Sequence, residues 1–231
     1  MRLDRFIESR LACSARSVRE MFARRQVLLN GVAVAEGRGM ISEFCRVEVA
    51  GDVLQARTPV YVMFNKPPGC VSATRDHKNP TVLDLLDWPE KDQLHLAGRL
   101  DFNTTGLMLL TNDGRWSRLI TQPQQKIPKT YWVQTKDEIT SAQVDAFAQG
   151  IYFRFEDLWT SPANLQPIDT YTAHLTIYEG RYHQIKRMFG FFDNEVTGLH
   201  RLAMGHIHLD PALAMGECRA LTQAEIKSVY L

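Results

Sequence analysis

The sequence predicts an α+β protein in two parts: a small N-terminal domain, then a larger domain built on a mostly antiparallel mixed sheet with flanking helices. Three observations lead there. Short strand and helix signals alternate in a mixed pattern from Val60 onward. Residues 52–60, with Ala56-Arg-Thr-Pro59, read as a linker between two periodic stretches. Charge is also divided unevenly. Residues 1–25 carry seven arginines against Asp4, Glu8 and Glu20, a net of +4, whereas residues 58–231 carry 17 basic and 19 acidic side chains, a net of −2. The expected domains are therefore 1–55 and 60–231.

The bulk composition narrows the class. At 231 residues the chain allows one large domain, or a small one plus a medium one. With 45% hydrophobic and 23% charged residues, it is expected to fold and stay in solution. No run of 18 apolar residues is present, and charges interrupt Met1-Arg-Leu-Asp-Arg-Phe, so neither a membrane span nor a signal core is expected. A cytoplasmic protein is the default expectation. Cys13, Cys45, Cys70 and Cys218 form no C-x-x-C pair, which argues against a zinc site or a disulfide framework. His206 and His208 have no acidic or cysteine partner at ligand spacing, so no metal is expected.

In the N-terminal part, Leu3, Phe6, Ile7 and Leu11 recur at helical spacing over residues 3–11. Ser14 is a good N-cap for a second helix over about 15–25, with Val18, Met21 and Phe22 on its apolar face. Asn30-Gly31 between two short apolar runs is a strong hairpin signal. Residues 44–50 alternate as a strand, and the unit closes near Gly51-Asp52. L-D-x-F-I, a capped arginine-bearing helix and V-L-L-N-G-V-A-V together resemble the small RNA-binding module known as the alpha-L motif. That resemblance implies an RNA grip through Arg2, Arg5, Arg16, Arg19, Arg24 and Arg25. The arginine fork suits phosphate because it donates two parallel hydrogen bonds. An ordinary solvated helix face explains the same charges.

In the larger part the expected elements follow in order. They are a strand at 60–65 stopped by Lys66-Pro67-Pro68-Gly69, a short helix at 82–86 capped by Thr81, and a buried strand at 107–111. Next come a helix at 115–121, a strand at 131–135, a helix at 141–149 ended by Gly150, and a strand at 172–178. A helix at 184–191, several short strands and a terminal helix at 223–230 complete the chain.

Three segments could carry chemistry. Arg99 and Asp101 precede the buried strand at 107–111, and a carboxylate on a strand-anchored loop is well placed to face a cleft. Asp101 could equally cap its own turn. Tyr131 opens a strand, either as half-buried packing or as a platform for an exposed base. Arg181, Lys186 and Arg187 place three cations around a helix start, as an anion site or as solvated surface charge.

Taken together, G-R-L-D-x-x-T-x-G-L, N-K-P-x-G, K-T-Y and E-G-R-Y-H-Q-x-K-R-M resemble the ribosomal RNA pseudouridine synthase family, in the branch that carries an N-terminal alpha-L domain. The resemblance covers essentially the whole chain. It implies isomerisation of a uridine to its C-glycoside with no cofactor. Asp101 would be the catalytic carboxylate, either attacking covalently or removing a ribose proton. By the same resemblance Lys186 is its basic partner, with Arg181 second, and Tyr131 contacts the base. Arg99, His183 and Gln184 would contact RNA. The short chain without a long basic C-terminal tail makes it most similar to members acting on small-subunit 16S rRNA. A monomer is expected. The competing readings are a synthase for large-subunit rRNA or tRNA, and a non-catalytic RNA-binding ribosome-assembly factor. A carboxylate hydrolase would want a second catalytic carboxylate, for which no motif is evident.

Overall fold

The computed structural model describes residues 1–154 and 156–230. The chain divides into two compact units, Met1–Pro59 and Val60–Leu231.

In the first unit, helices α1 (Leu3–Leu11) and α2 (Ala15–Ala23) accompany a four-stranded sheet. Its strands are β1 (Val27–Leu29), β2 (Val32–Ala33), β3 (Val47–Val49) and β4 (Asp52–Gln55), in the order β2-β1-β3-β4. Ser14 caps α2 by accepting from the Ser17 amide at 3.2 Å. The tight β1–β2 turn sits at Asn30 and Gly31, both with positive φ. Leu3, Ile7, Val18, Phe22, Val27, Val47 and Val49 form the core. The expected linker at 52–60 is different in the structure. Residues 52–55 are β4, paired antiparallel with β3 through a second tight turn at Ala50-Gly51, again with positive φ at both residues. The unit accordingly extends to Pro59.

The second unit is a nine-stranded mixed sheet among the described residues, with helices α3 (Val82–Leu85), α4 (Gly114–Thr121), α5 (Ser141–Gln149), α6 (Gln184–Gly190) and α7 (Gln223–Lys227). The main path uses β5 (Tyr61–Lys66), β7 (Thr105–Thr111), β8 (Lys129–Thr135), β11 (Asn164–Pro167), β12 (Thr172–Ile177), β13 (Val196–Met204) and β15 (Cys218–Ala220). Their order is β11-β12-β8-β13-β7-β5-β15. Strand β6 (His95–Leu96) pairs with β7, and β14 (Ile207–His208) pairs with β13. A separate hairpin joins β9 (Tyr152–Phe153) to β10 (Leu158–Trp159).

All pairings in the large sheet are antiparallel except β13 with β7, so the fold is α+β with a mostly antiparallel mixed sheet. Apolar side chains fill both faces. Phe64, Met108, Leu110, Val133, Leu175 and Phe189 belong to one cluster, and Met63, Leu107, Leu109, Trp116 and Ile207 to the other. That two-sided burial explains why β5 and β7 read as continuous apolar runs rather than alternating ones. The terminal helix is shorter than expected: α7 ends at Lys227 and a 3₁₀ turn covers Ser228–Tyr230.

The parallel junction fixes the start of β7. Gly106 has φ +101°, and a Cβ there would lie 2.4 Å from the Arg201 carbonyl oxygen and 2.7 Å from its amide nitrogen. Only glycine permits that approach. Beside it, Thr105 Oγ1 lies 2.8 Å from His200 Nδ1.

Candidate active site

The loop between β6 and β7 carries Asp101, and its main chain is gripped from below. Lys66, at the end of β5, is fully buried. Its ammonium donates to the carbonyls of Pro67 at 3.1 Å, Phe102 at 3.1 Å and Thr104 at 3.0 Å. Burial pushes the Lys66 ammonium below its usual range, offset in part by Cys70 and, less, by the Asp101 charge. Ser72 adds a second clamp. Its hydroxyl donates to the Leu100 carbonyl at 2.6 Å and accepts from the Leu100 amide at 3.0 Å. Gly69 N–H donates to the Phe102 carbonyl at 3.0 Å. The loop is therefore fixed by hydrogen bonds to its main chain, while Leu100 and Thr104 are buried and Phe102 and Asn103 are exposed.

Asp101 lines a cleft of about 510 Å³. Among the described residues its carboxylate caps no turn amide. The turn is closed instead by the Thr104 amide donating to the Asp101 main-chain oxygen at 3.1 Å. The basic group beside the carboxylate is His183, with Nε2 3.6 Å from Oδ1. His183 is the left-handed residue immediately before α6, with φ 48°, and the ring of Tyr182 stacks on it at 3.9 Å.

The floor of the cleft comes from the sheet. Lys129 and Tyr131 alternate onto one face of β8. Tyr131 stands opposite Arg201 of β13 and Leu175 of β12, and Lys129 opposite Met204 and Ile177. Tyr131, Lys129, Ile177, Leu199, Arg201 and Met204 all line the cleft. The Arg201 guanidinium is almost wholly buried. It donates to the Leu107 carbonyl at 2.7 Å and the Arg99 carbonyl at 3.3 Å, and its Nη2 has no hydrogen-bond partner among the described residues. Arg201 thus connects β13 to the main chain on both sides of Asp101.

The segment from the end of β12 into α6 closes the cleft. Glu179 accepts from the Ser161 amide and from Gln184 Nε2, both at 2.9 Å, and pairs with Arg181 at 3.2 Å. Gln184 Oε1 in turn accepts from the Arg181 amide at 3.0 Å. Gln184 is buried, and its amide braces this turn.

The structure thus brings Arg99, Asp101, Tyr131, Arg181, His183, Gln184 and Lys186 to one cleft. The expected pairing within it is different. Among the described residues no ion pair joins Asp101 to Lys186, and Arg181 is taken by Glu179. His183 precedes α6 and reaches the carboxylate, whereas Lys186 lies nearly a turn further along the helix. The roles of Lys66, Lys129, Glu179 and Arg201 escaped the sequence reading, although N-K-P, K-T-Y and E-G-R-Y-H-Q contain three of them. Among the described residues no group of three or more His, Cys, Asp or Glu side chains is placed to hold a metal ion.

In the N-terminal unit, Arg2 pairs with Asp4, Arg5 with Glu8 at 2.8 Å, and Arg16 with Glu20 at 3.2 Å. Arg19 donates to the Ala15 carbonyl at 3.1 Å. Among the described residues Arg19, Arg24 and Arg25 form no ion pair with an acid. The free positive charge is thus smaller than the arginine count suggests.

A mixed sheet that presents one clamped aspartate beside a tyrosine and several cations matches a known family. Residues 60–190 match the family model for RNA pseudouridylate synthase, and the chain belongs to that family. Over 230 residues it is 52% identical to the ribosomal small subunit pseudouridine synthase A of Pseudomonas aeruginosa, covering 99% of this chain and 100% of that one. The protein of the same name from Haemophilus influenzae is 42% identical over 230 residues, covering 99% of each chain. A crystal structure described as a pseudouridylate synthase superposes with a TM-score of 0.72 at 41% identity, covering 99% of both chains.

Proposed function

We propose that the protein converts a uridine of small-subunit 16S ribosomal RNA to pseudouridine, with Asp101 as the catalytic carboxylate. The observation that carries this reading is the placement of Asp101. It lines a cleft on a loop whose main chain is held by the buried Lys66, in the same cleft as Tyr131. The names of the full-length relatives supply the substrate class.

The reaction breaks the N1–C1′ bond, turns the uracil over, and joins C5 to C1′. A proton leaves C5 and one arrives at N1, so the net change is an isomerisation without a redox step. An ionised carboxylate near the anomeric carbon serves either as nucleophile or as base toward the ribose. A dry cleft would favour the protonated acid, and positive charge opposes that. Lys66, Arg181 and Lys186 provide such charge around the cleft, and His183 Nε2 lies 3.6 Å from the carboxylate. Tyr131 offers a flat face and a hydroxyl to the base.

The target uridine must leave its stack, which costs a few kcal/mol that pocket contacts offset. Arg99, exposed at the rim, is suited to a phosphate or to the gap left in the RNA. In this reading residues 1–55 form an alpha-L RNA-binding domain that supplies electrostatic grip through its arginines, while residues 60–231 supply shape and chemistry. The protein acts as a cytoplasmic monomer without a cofactor. A stable dimer in sedimentation would overturn the oligomeric part.

The experiment measures pseudouridine by tritium release or mass spectrometry, with wild type and Asp101→Asn on unmodified 16S rRNA, 23S rRNA and tRNA. Each is run with and without ribosomal proteins. Product on 16S rRNA from wild type alone is the expected outcome. Product on 23S rRNA or tRNA instead would move the substrate. Intact RNA binding with no product on any RNA would leave an assembly factor.

A further inference from the structure

The cleft holds more positive charge than Asp101 requires. Arg99, Lys129, Arg181, Lys186 and Arg201 line it against the two carboxylates of Asp101 and Glu179. Both Glu179 oxygens are already engaged, by Ser161, Gln184 and Arg181. Two of the cations, Lys129 and Arg201, stand at the floor beside Tyr131. Among the described residues the Lys129 ammonium makes a single hydrogen bond, to the Ile127 carbonyl at 3.1 Å, so two of its three N–H groups are uncommitted. The Arg201 Nη2 is buried and unpartnered.

Placing two cations together in a low-dielectric floor is unfavourable. Burial and the Arg201 charge push the Lys129 ammonium down to about 8, with Glu179 offsetting part of that. Such an arrangement favours any bound group that gains negative charge there. Phosphates remain attached to the strand, whereas the base is the part of a flipped nucleotide that enters a pocket. When the N1–C1′ bond breaks, its electron pair stays with the uracil. The charge then spreads over N1, O2 and O4 until C5 bonds C1′ and the C5 proton leaves.

We propose that Lys129 is a further catalytic residue, donating a hydrogen bond to a uracil carbonyl oxygen and stabilising the detached uracil anion, with Arg201 behind it reinforcing the positive field. This inference deepens the pseudouridine synthase reading and rests on it. Lys129 is distinct in task from Asp101: one meets the sugar, the other meets the base.

The test uses the full-length protein on unmodified 16S rRNA. Lys129→Met should slow the single-turnover rate at saturating RNA by roughly 100-fold or more while leaving RNA affinity within about twofold. A loss confined to affinity, with a shallower salt dependence and an unchanged saturated rate, would make Lys129 a phosphate ligand and overturn the proposal.

A pH profile supplies a second reading that does not depend on how Lys129→Met folds. The Lys129 ammonium is charged below its pKa and neutral above it. In wild type kcat/KM should therefore fall as pH rises through about 8. Lys129→Arg, which stays charged, should lose that limb. The other titratable or charged groups facing the cleft are Arg99, Asp101, Tyr131, Glu179, Arg181, Tyr182, His183, Lys186 and Arg201, and all are unchanged in that variant. A limb that persists in Lys129→Arg belongs to one of them and overturns the assignment. Absence of pseudouridine from wild type on every RNA would sink the functional reading and this inference with it. An active wild type matched by an equally active Lys129→Met would sink the inference alone.

Discussion

Asp101 is positioned by a lysine that never meets solvent. Lys66 donates to three main-chain carbonyls, two of them in the loop that holds the carboxylate. Methionine at this position would fill similar space and donate nothing, leaving those carbonyls without their charged donor. Lys66→Met is expected to lower stability by about 2–4 kcal/mol, after allowing for relief of the buried charge. Turnover should fall further than the unfolded fraction explains, because the loop loses its register. Urea denaturation and single-turnover rates on the same protein check this, and a variant as stable and active as wild type would refute it. Asp101 stood out in the sequence because its neighbours form a long ordered pattern. Arg201 did not, and neither did the bracing role of Glu179, although E-G-R-Y-H-Q-x-K-R-M begins with it. Arg201 lies 100 positions from Asp101, and only strand pairing brings its guanidinium to the carbonyls flanking that residue. The partner expected for Asp101 was the lysine of α6, but the left-handed backbone of His183 places an imidazole there first.

Among the elements, the β7–β13 pair is the junction on which the cleft depends. It joins the strand following Asp101 to the strand carrying Arg201, and it is the parallel contact of an otherwise antiparallel sheet. Gly106 makes it possible. In Gly106→Ala the new methyl would meet the Arg201 backbone at 2.4 and 2.7 Å, in a left-handed conformation that alanine disfavours. Backbone on both sides cannot yield as a side-chain tip does. The cost is expected to exceed about 2 kcal/mol, seen as a lower melting temperature together with lost activity. Alanine tolerated without either change would show that the strands separate readily. Helix starts were the most readable features: Ser14 and Thr81, read as caps, each accept from a backbone amide three residues on, and in the structure Thr140 and Thr222 do the same for the helices expected at 141 and 223. Strand β4 was the least. Asp52–Gln55 mixes polar and apolar residues, and the turn before it relies on Ala50 adopting a positive φ, which no local pattern announces.

For the whole molecule, the chain divides into two units, and the cleft with Asp101 is lined by residues of the second. If the N-terminal unit grips RNA, its effect should be electrostatic and independent of sequence. Replacing Arg24 and Arg25 with alanine removes two cations that have no acidic partner among the described residues. Affinity for 16S rRNA should weaken, and the slope of log K against log salt should drop by roughly 1.4–1.8. The single-turnover rate at saturating RNA should stay as in wild type. A rate loss at saturation would mean that this unit also shapes the reacting complex. The uneven charge was visible in the sequence, but the number of available cations was not, because three of the seven arginines at 1–25 are paired within their own unit.

The grip of Lys66 on carbonyl oxygens has an evolutionary corollary. Main-chain carbonyls are common to every amino acid, so Lys66 holds the loop whatever side chains it bears. Phe102 and Asn103 are exposed, and nothing in that clamp reads their identity. Those two positions are free to drift, or to be randomised in a selection for altered RNA preference, while the neighbouring carboxylate stays where it is.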